Sequence, residues 1–441
     1  MRRSLTVLPL AAATFFMVAG GPYGLEEIVQ NAGYRYSIAI LLVVPIVWSV
    51  PAALMVAELS SALPEEGGYY AWVRRALGPF WGFQEAWLSL AASVFDMAIY
   101  PTLFVLYLSH FFPAVRGANR EFALGAAMIA LCTAWNLLGA RSVGDSSVAL
   151  GVALLAPFAV LGTIAVFHRG GAAPASAPHP VLLGGILIAM WNYMGWDNAS
   201  TVAGEVDRPQ RSYPLAILLA VLLTVASYVL PVAAAARAGI DPSRWTTGSW
   251  TEVAAALGGK ALAAAVVAGG AICGIGMFNA LLLSYSRVPA TLAEDGFLPR
   301  VFARRHPRTD APTFSILACA VCWTAALTLG FDRLIELDVL LYGGSLMLEF
   351  VALTELRRKE PDLARPFRVA GGVLGTVLLA AGPLALLSIA LVRNRDETIG
   401  AVPALLFGAG IAAAGPILYR VSRRRGAAST PATGGSRSTD A

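Results

Sequence analysis

Long apolar stretches recur along nearly the whole chain and are separated by short polar segments. Their hydropathy predicts twelve spans, at residues 5–31, 37–62, 80–112, 121–140, 146–168, 181–205, 213–239, 259–288, 312–330, 333–355, 372–393 and 400–420. A helix of about 20 apolar residues crosses the hydrocarbon core of a bilayer, and none of the intervals could house a soluble domain. The pattern predicts an all-α integral membrane protein with about twelve transmembrane helices.

Composition supports this interpretation and bounds the domain organisation. The chain has 441 residues, of which 57% are hydrophobic and 13% charged, and its mean hydropathy is +0.67. These values lie outside the usual range of soluble domains. We expect residues 1–425 to form one polytopic membrane domain and residues 426–441, rich in Ala, Ser, Thr and Gly, to form a disordered tail. No small-residue cleavage site follows the first apolar run, which is therefore interpreted as a retained helix.

The distribution of charge predicts the orientation in the membrane. An even number of spans places both termini on one side. Most of the 32 basic residues then fall in segments on that side, and an excess of Arg and Lys marks the cytoplasmic side. We therefore expect a multi-pass protein of the plasma (inner) membrane with both termini in the cytoplasm. Because this topology accounts for the basic residues, we expect no nucleic-acid partner.

Two of the predicted spans are interrupted by residues that disfavour a helix. The first contains Gly20-Gly21-Pro22-Tyr23-Gly24, and the sixth contains the polar and aromatic run 191–200. Glycine weakens a helix and proline lacks a backbone donor, so we expect unwound backbone in these spans. Such backbone is tolerated in a membrane only beside protein or a wet cavity. Interruptions in spans one and six, five spans apart, are typical of secondary transporters built from inverted repeats.

Acidic residues within the spans indicate what such a cavity binds. They are Glu26, Glu27, Glu85, Asp96, Asp197, Glu205 and Glu349, with Glu58 near a span end. Charged groups in a bilayer are costly and usually functional. Glu26, Asp96 and Asp197 can meet near the midplane, where no Lys or Arg is expected and a cationic substrate would compensate them. Structural roles, as helix caps or partners of arginines, are expected for Glu58, Glu85, Glu205 and Glu349.

The position of Glu26 favours an amine over an amino acid as the substrate. In amino acid transporters the positive N-terminal end of the half-helix after the break receives the substrate carboxylate. Here a glutamate already occupies the first turn of that half-helix. Nearby aromatic side chains could supply cation–π faces or a gate. Ordinary packing explains each of them at least as well, except Trp196, whose position beside Asp197 favours the site. The candidate substrate-binding residues are Gly20, Gly21, Tyr23, Gly24, Glu26, Asp96, Tyr100, Trp191, Tyr193, Trp196 and Asp197.

Other chemistries have little support in the sequence. The four histidines are dispersed over loops and span ends, and the four cysteines lie in apolar runs, so we expect no metal site. The sequence contains no phosphate-binding loop, which excludes a self-contained ATP-driven pump. We expect neither a cofactor nor enzymatic activity. For Asp96, a structural hydrogen bond to a neighbouring helix is an open alternative to substrate binding.

Several stretches resemble the amino acid-polyamine-organocation (APC) superfamily of secondary transporters, and within it the polyamine-uptake branch. They are residues 20–27, 64–69, 78–85, 196–205 and 292–299. The resemblance implies a LeuT-type fold of two inverted five-helix repeats with two additional helices, discontinuous helices one and six, and alternating access. It also places the acids of the branch at Glu26, Asp96 and Asp197, with the paired aromatic residue at Trp196.

The resemblance leaves the substrate class open. The first hypothesis is a permease, embedded in the bilayer, that imports polyamines or related organic cations together with a coupling proton. The second is a permease for cationic or neutral amino acids. A membrane sensor that binds a ligand without transporting it is a third interpretation, which the absence of a signalling domain disfavours. Some proton-coupled relatives carry a lysine in the fifth span, but residues 145–168 contain none, so the coupling ion stays open.

Overall fold

The computed structural model describes residues 5–167, 180–328, 331–393, 395, 398–399 and 402–428. The α-helices are α1 Val7–Val18, α2 Glu26–Val47, α3 Ser49–Ala62, α4 Tyr69–Leu77, α5 Pro79–Phe111, α6 Ala118–Asn136, α7 Ala140–Phe167, α8 Leu182–Asn192, α9 Pro209–Arg237, α10 Trp250–Tyr285, α11 Arg287–Glu294, α12 Thr313–Ala326, α13 Phe331–Lys359, α14 Gly372–Arg393 and α15 Ala404–Ala428. Four 3₁₀ segments cover Pro113–Val115, Trp196–Glu205, Pro242–Arg244 and Arg300–Ala303. The described strands, β1 Thr398–Ile399 and β2 Val402–Pro403, form one antiparallel pair.

These helices form the predicted membrane architecture. In the described part of the chain, eight helical stretches are long and apolar enough to cross a membrane, and α1 and α12 are shorter apolar helices. The observed helices overlap every predicted span. The all-α membrane fold is confirmed, whereas the number of crossings stays a prediction. Helix α15 continues slightly beyond the predicted domain end at residue 425, and residues 429–441 of the predicted tail lie outside the described residues.

The first predicted break is present where the glycines lie. Helix α1 ends at Val18, and Ala19 has an extended backbone with φ −140° and ψ 140°. Gly21 and Gly24 follow with φ values of 73° and 88°, a region that favours glycine. Helix α2 then begins at Glu26 and contains a non-helical residue at Gly33. The first span is therefore two short helices joined by unwound backbone, followed by a bend into the second span.

The second break is also present, and it extends further than predicted. Helix α8 ends at Asn192, and the residues after the break form a 3₁₀ helix, Trp196–Glu205, rather than an α-helix. The polar side chains of this segment explain the difference, because their hydrogen bonds compete with the backbone hydrogen bonds of an α-helix. The Thr201 hydroxyl donates to the Asn198 carbonyl at 3.0 Å, and the Ser200 hydroxyl accepts the backbone N–H of Tyr69 at 3.1 Å.

The two broken spans pack directly against each other. A Cβ atom at Gly195, where φ is 94°, would lie 2.5 Å from the Met17 carbonyl oxygen. Near the chain start, the backbone N–H of Leu5 donates to the Glu205 carbonyl at 3.0 Å. We call the end of the helix bundle that holds Leu5 the N-terminal face, and the other end the opposite face. The two breaks therefore lie next to each other inside the helix bundle.

Candidate substrate-binding cavity

A cavity lies between the two breaks. Its walls come from both broken spans and from α5, α10 and α13, which pack around them. It is lined by Met17, Val18, Gly20, Tyr23, Asp96, Tyr100, Leu103, Trp191, Asn192, Met194, Gly195, Asn198, Cys273, Met277, Tyr285, Asp338 and Tyr342. We call it the central cavity. Among these described residues none is Lys, Arg or His, so the fixed charges on the wall are the carboxylates.

Asp96 is held towards the central cavity by two tyrosines. The Tyr100 hydroxyl, one turn further along α5, donates to Asp96 Oδ1 at 2.5 Å. The Tyr285 hydroxyl, from α10, lies 3.4 Å from Asp96 Oδ2. A carboxylate can accept more hydrogen bonds than these two, so Asp96 retains acceptor capacity for a ligand. The predicted residues Gly20, Tyr23, Asp96, Tyr100 and Trp191 all line this cavity.

A second carboxylate on the wall, Asp338, is missing from the sequence prediction. It lies on α13, is 2% exposed, and is within electrostatic range of Asp96. The sequence places it near the start of the tenth predicted span, after Asp332 and Glu336, where a polar helix end is equally plausible. Its position inside that span is the signal that could have found it. Only the packing of α13 beside α5 distinguishes it from a residue at the membrane surface.

Asp197 lies one hydrogen bond behind the cavity wall. Its Oδ1 accepts the Tyr342 hydroxyl at 2.5 Å, and the same hydroxyl accepts the Gly195 backbone N–H at 2.9 Å. Tyr342 lines the central cavity, whereas Asp197 is outside the lining and 2% exposed. A positive charge in the cavity therefore interacts with Asp197 across the Tyr342 side chain, and contacts it directly only if Tyr342 changes its rotamer.

Glu26 lies away from the central cavity and is satisfied by protein groups. Its Oε2 accepts the Gly24 backbone N–H at 2.7 Å, and its Oε1 accepts the Gly248 backbone N–H at 3.1 Å and the Tyr107 hydroxyl. The side chain is 1% exposed. Glu26 therefore covers the N-terminal end of α2, as the sequence predicts, and joins it to the segment before α10. Its predicted direct contact with a substrate stays a prediction.

The other predicted residues support the breaks from outside the lining. A Cβ atom on Gly21 would contact Leu154, and one on Gly24 would contact Asn192. The Tyr193 hydroxyl donates to the Leu41 carbonyl at 2.8 Å, and the Trp196 indole donates to the Tyr193 carbonyl at 3.0 Å. In this conformation all four, Gly21, Gly24, Tyr193 and Trp196, pack against protein, and their predicted role in binding stays a prediction.

Comparison with known protein families decides the class of the protein. The family model described as amino acid permease matches residues 12–410. The chain belongs to the amino acid permease family. The predicted resemblance to the APC superfamily is confirmed, and the chain is a membrane transporter whose cavity lies between two broken helices.

Curated relatives cover most of this permease. It is 35% identical over 433 residues to a probable polyamine transporter of Arabidopsis thaliana, which is 96% of this chain and 86% of the relative. It is 38% identical over 400 residues to the polyamine transporter PUT1 of Oryza sativa subsp. japonica, which is 88% of this chain and 74% of the relative. It is also 30% identical over 272 residues to an uncharacterized transporter of Mycobacterium tuberculosis, 59% of each chain.

The acids predicted to be structural in this permease divide into two groups. Glu205 forms an ion pair with Arg287, with 2.7 Å between Oε1 and Nη2, and Glu58 forms one with Arg357, with 2.6 Å between Oε2 and Nη2. These contacts confirm the predicted roles of Glu205 and Glu58 as arginine partners. These arginines are 0% and 5% exposed, deeper than the sequence indicates. Glu85 and Glu349 differ, because no ion pair joins either of them to a basic residue in the described part of the chain. The structural interpretation does not account for those two.

Proposed function

We propose that the chain is a secondary active transporter that moves polyamines or related organic cations by alternating access, coupled to protons. The observation that carries the substrate class is the wall of the central cavity, where Asp96 and Asp338 face a common space without a basic residue among the described lining. Two buried carboxylates, 6% and 2% exposed, are unfavourable without a compensating positive charge. An amine substrate supplies that charge and donates hydrogen bonds to carboxylate and tyrosine oxygens.

The N-terminal end of α2 further favours a substrate without a carboxylate. Glu26 already accepts the Gly24 backbone N–H there, so an anionic substrate group would meet both a negative charge and an occupied donor. The names of the plant relatives agree with an amine. The family description, amino acid permease, makes an amino acid substrate the competing candidate. The proposal also includes a location in the plasma membrane with both termini in the cytoplasm. This orientation rests on the excess of basic residues on the side of the termini.

Uptake into proteoliposomes separates the two substrate classes. The purified protein is reconstituted, and uptake of labelled putrescine and spermidine is compared with uptake of labelled lysine and leucine. We expect saturable uptake of the amines and no inhibition by leucine. Amino acid uptake without amine uptake would overturn the polyamine proposal. Binding without uptake of any compound would overturn transport itself.

Two variants test the wall of the cavity. Asp96→Asn and Asp338→Asn each remove one negative charge, and a hydrogen bond to a charged group contributes about 1.5–3 kcal/mol. We therefore expect about a tenfold or greater increase in KM for putrescine. Asp145→Asn is the matched control, because Asp145 forms only an exposed pair with Arg141. An unchanged KM in both cavity variants would contradict the assignment of this site.

A further inference from the structure

Two buried carboxyls outside the central cavity have unused hydrogen-bonding capacity. Glu85 on α5 and Glu349 on α13, which we call the acid pair, are both 0% exposed. The Ser89 hydroxyl donates to Glu85 Oε1 at 2.7 Å, whereas Glu85 Oε2 and both oxygens of Glu349 have no hydrogen-bond partner among the described residues. The Tyr69 hydroxyl, from α4, lies beside Ser89 and within electrostatic range of both carboxyls. Three buried carboxyl oxygens at this site are therefore without a hydrogen-bond partner in the described part of the chain.

In the described part of the chain, no basic side chain acts on either member of the acid pair. The ionisable groups that interact with the pair are Asp197 from the 3₁₀ segment, Tyr69 from α4 and Tyr342 from α13. The neighbouring helices add no cation at this depth, since α14 has no ionisable residue before Arg393 and α15 has none before Tyr419. On α3, Glu58 is occupied by Arg357 and Arg365. Two ionised carboxyls would be strongly unfavourable in such a site.

The ligand that fits this site is a proton. Neither carboxyl lines the central cavity, so an amine there cannot contact them. A proton needs no cavity, and it converts one acceptor into a donor for an unpartnered oxygen. We propose that Glu85 and Glu349 together bind a proton in this conformation, in which α4, α5 and α13 pack together at the N-terminal face, and that closure of this face by that packing depends on the proton.

The position of the acid pair explains why its protonation would depend on closure of the N-terminal face. Glu85 precedes Asp96 by about three helical turns, and Glu349 follows Asp338 by the same distance, roughly 16 Å along each helix. Both lie towards the N-terminal face, where Lys359 at the end of α13 donates to the Ala76 carbonyl of α4 at 2.7 Å. Separation of α4, α5 and α13 there admits water to the carboxyls, which can then ionise. High pH therefore stabilises the open face and opposes closure.

Amine exchange at different pH values tests this dependence and rests on the proposed function. Proteoliposomes containing putrescine on both sides are assayed between acid and alkaline pH, equal on the two sides. If closure needs one proton, the wild-type exchange rate falls by up to about tenfold per pH unit at alkaline pH. Glu349→Gln and Glu85→Gln carry neutral side chains, and we expect the double variant to exchange at a rate that does not depend on pH.

A control residue, Glu355, lies on the same helix as Glu349. Glu355→Gln removes a partly exposed partner of Arg358 and Lys359 on α13, and it should keep the wild-type pH profile. A wild-type profile in the double variant, or a flat profile in Glu355→Gln, would overturn the proposal. A dependence on sodium concentration that the double variant loses, at fixed pH, would assign the site to sodium instead of a proton.

Infrared spectroscopy tests the proton without any substrate. A carboxylic acid has a C=O stretch that a carboxylate lacks, so the wild-type protein at neutral pH should show a band that Glu349→Gln or Glu85→Gln removes. The absence of such a band would contradict protonation. If the band is present but the wild type exchanges no amine, the proposed substrate is wrong while the proton site stands.

Discussion

At the scale of single residues, the site depends on contacts that only glycine and tyrosine can make here. Gly195 approaches the Met17 carbonyl and adopts a φ of 94°. Its backbone N–H donates to the Tyr342 hydroxyl, which donates in turn to Asp197. One hydroxyl thus connects the backbone of the second break with its carboxylate. The geometry of Asp197 is consequently set by α13 as much as by its own segment.

Substitution of Gly195 by alanine should prevent this packing. The left-handed backbone alone costs about 1–3 kcal/mol for a residue with a side chain, and the added Cβ would lie 2.5 Å from the Met17 carbonyl oxygen. We expect Gly195→Ala to lower the apparent Tm in detergent and to abolish uptake. Gly410→Ala is the control, because Gly410 lies in α15 facing open space, where alanine favours the helix by up to about 1 kcal/mol. Equal stability of the two variants would contradict this explanation.

The sequence predicts the individual site residues unevenly. Asp96 can be predicted because an acid in the middle of an apolar span has few structural explanations. Asp338 cannot be separated from a polar helix end by sequence alone, since its depth depends on how α13 packs on α5. The sequence places Glu26 at the start of the half-helix, where α2 begins, but its partners Gly248 and Tyr107 are 222 and 81 residues away in the chain. Long-range partners of this kind are not visible in local patterns.

At the scale of secondary-structure elements, the two breaks differ in how they are stabilised. The first follows from glycine and proline, which act locally, so the sequence predicts its position. The second continues into the 3₁₀ segment Trp196–Glu205 because Ser200 bonds to α4 and Asn198 accepts from Ser284 of α10. These partners lie on other elements, so a helix-or-break prediction cannot anticipate the 3₁₀ geometry. The segment is held as much by its neighbours as by its own sequence.

The end of the 3₁₀ segment provides a direct test of this anchoring. Glu205 accepts Arg287 Nε at 3.0 Å and its terminal nitrogen at 2.7 Å, and both side chains are nearly fully buried. Glu205→Gln leaves a buried guanidinium without its counterion, which typically costs about 3–5 kcal/mol. We expect a lower apparent Tm and faster hydrogen exchange across residues 196–205.

A matched substitution at the surface separates this effect from a general loss of charge. Asp145→Asn breaks the exposed pair with Arg141, in which the side chains are 59% and 78% exposed. Such pairs contribute about 0–1 kcal/mol, so its hydrogen exchange should match the wild type. If Glu205→Gln also behaves as the wild type, the 3₁₀ segment is held by other contacts.

At the scale of the whole molecule, the two ends of the central cavity are closed by different chemistry. On the N-terminal face, Arg74 pairs with Asp295, and Arg305 pairs with Glu66 at 2.7 Å. Burial raises the pKa of Glu66, and Arg305 opposes that shift. On the opposite face, the Trp250 indole donates to the Pro22 carbonyl at 2.8 Å, and the Trp245 and Trp250 rings pack edge to face. Salt screens the partly exposed Arg74–Asp295 pair more than it weakens aromatic packing, so ionic strength should affect the N-terminal face first.

The close approach of Gly20 to Cys273 makes that thiol a chemical reporter of conformation. A Cβ on Gly20 would lie 2.1 Å from Cys273 Sγ, and the thiol is 2% exposed at the wall of the cavity. In a variant with serine at positions 132, 319 and 322, a small maleimide can reach Cys273 only while the cavity is open. We expect labelling to slow when putrescine is bound, measured by mass spectrometry against Cys273→Ser as the blank. Labelling that is fast and indifferent to amines would show that the thiol is accessible without opening; otherwise the alkylation rate measures how often each molecule opens.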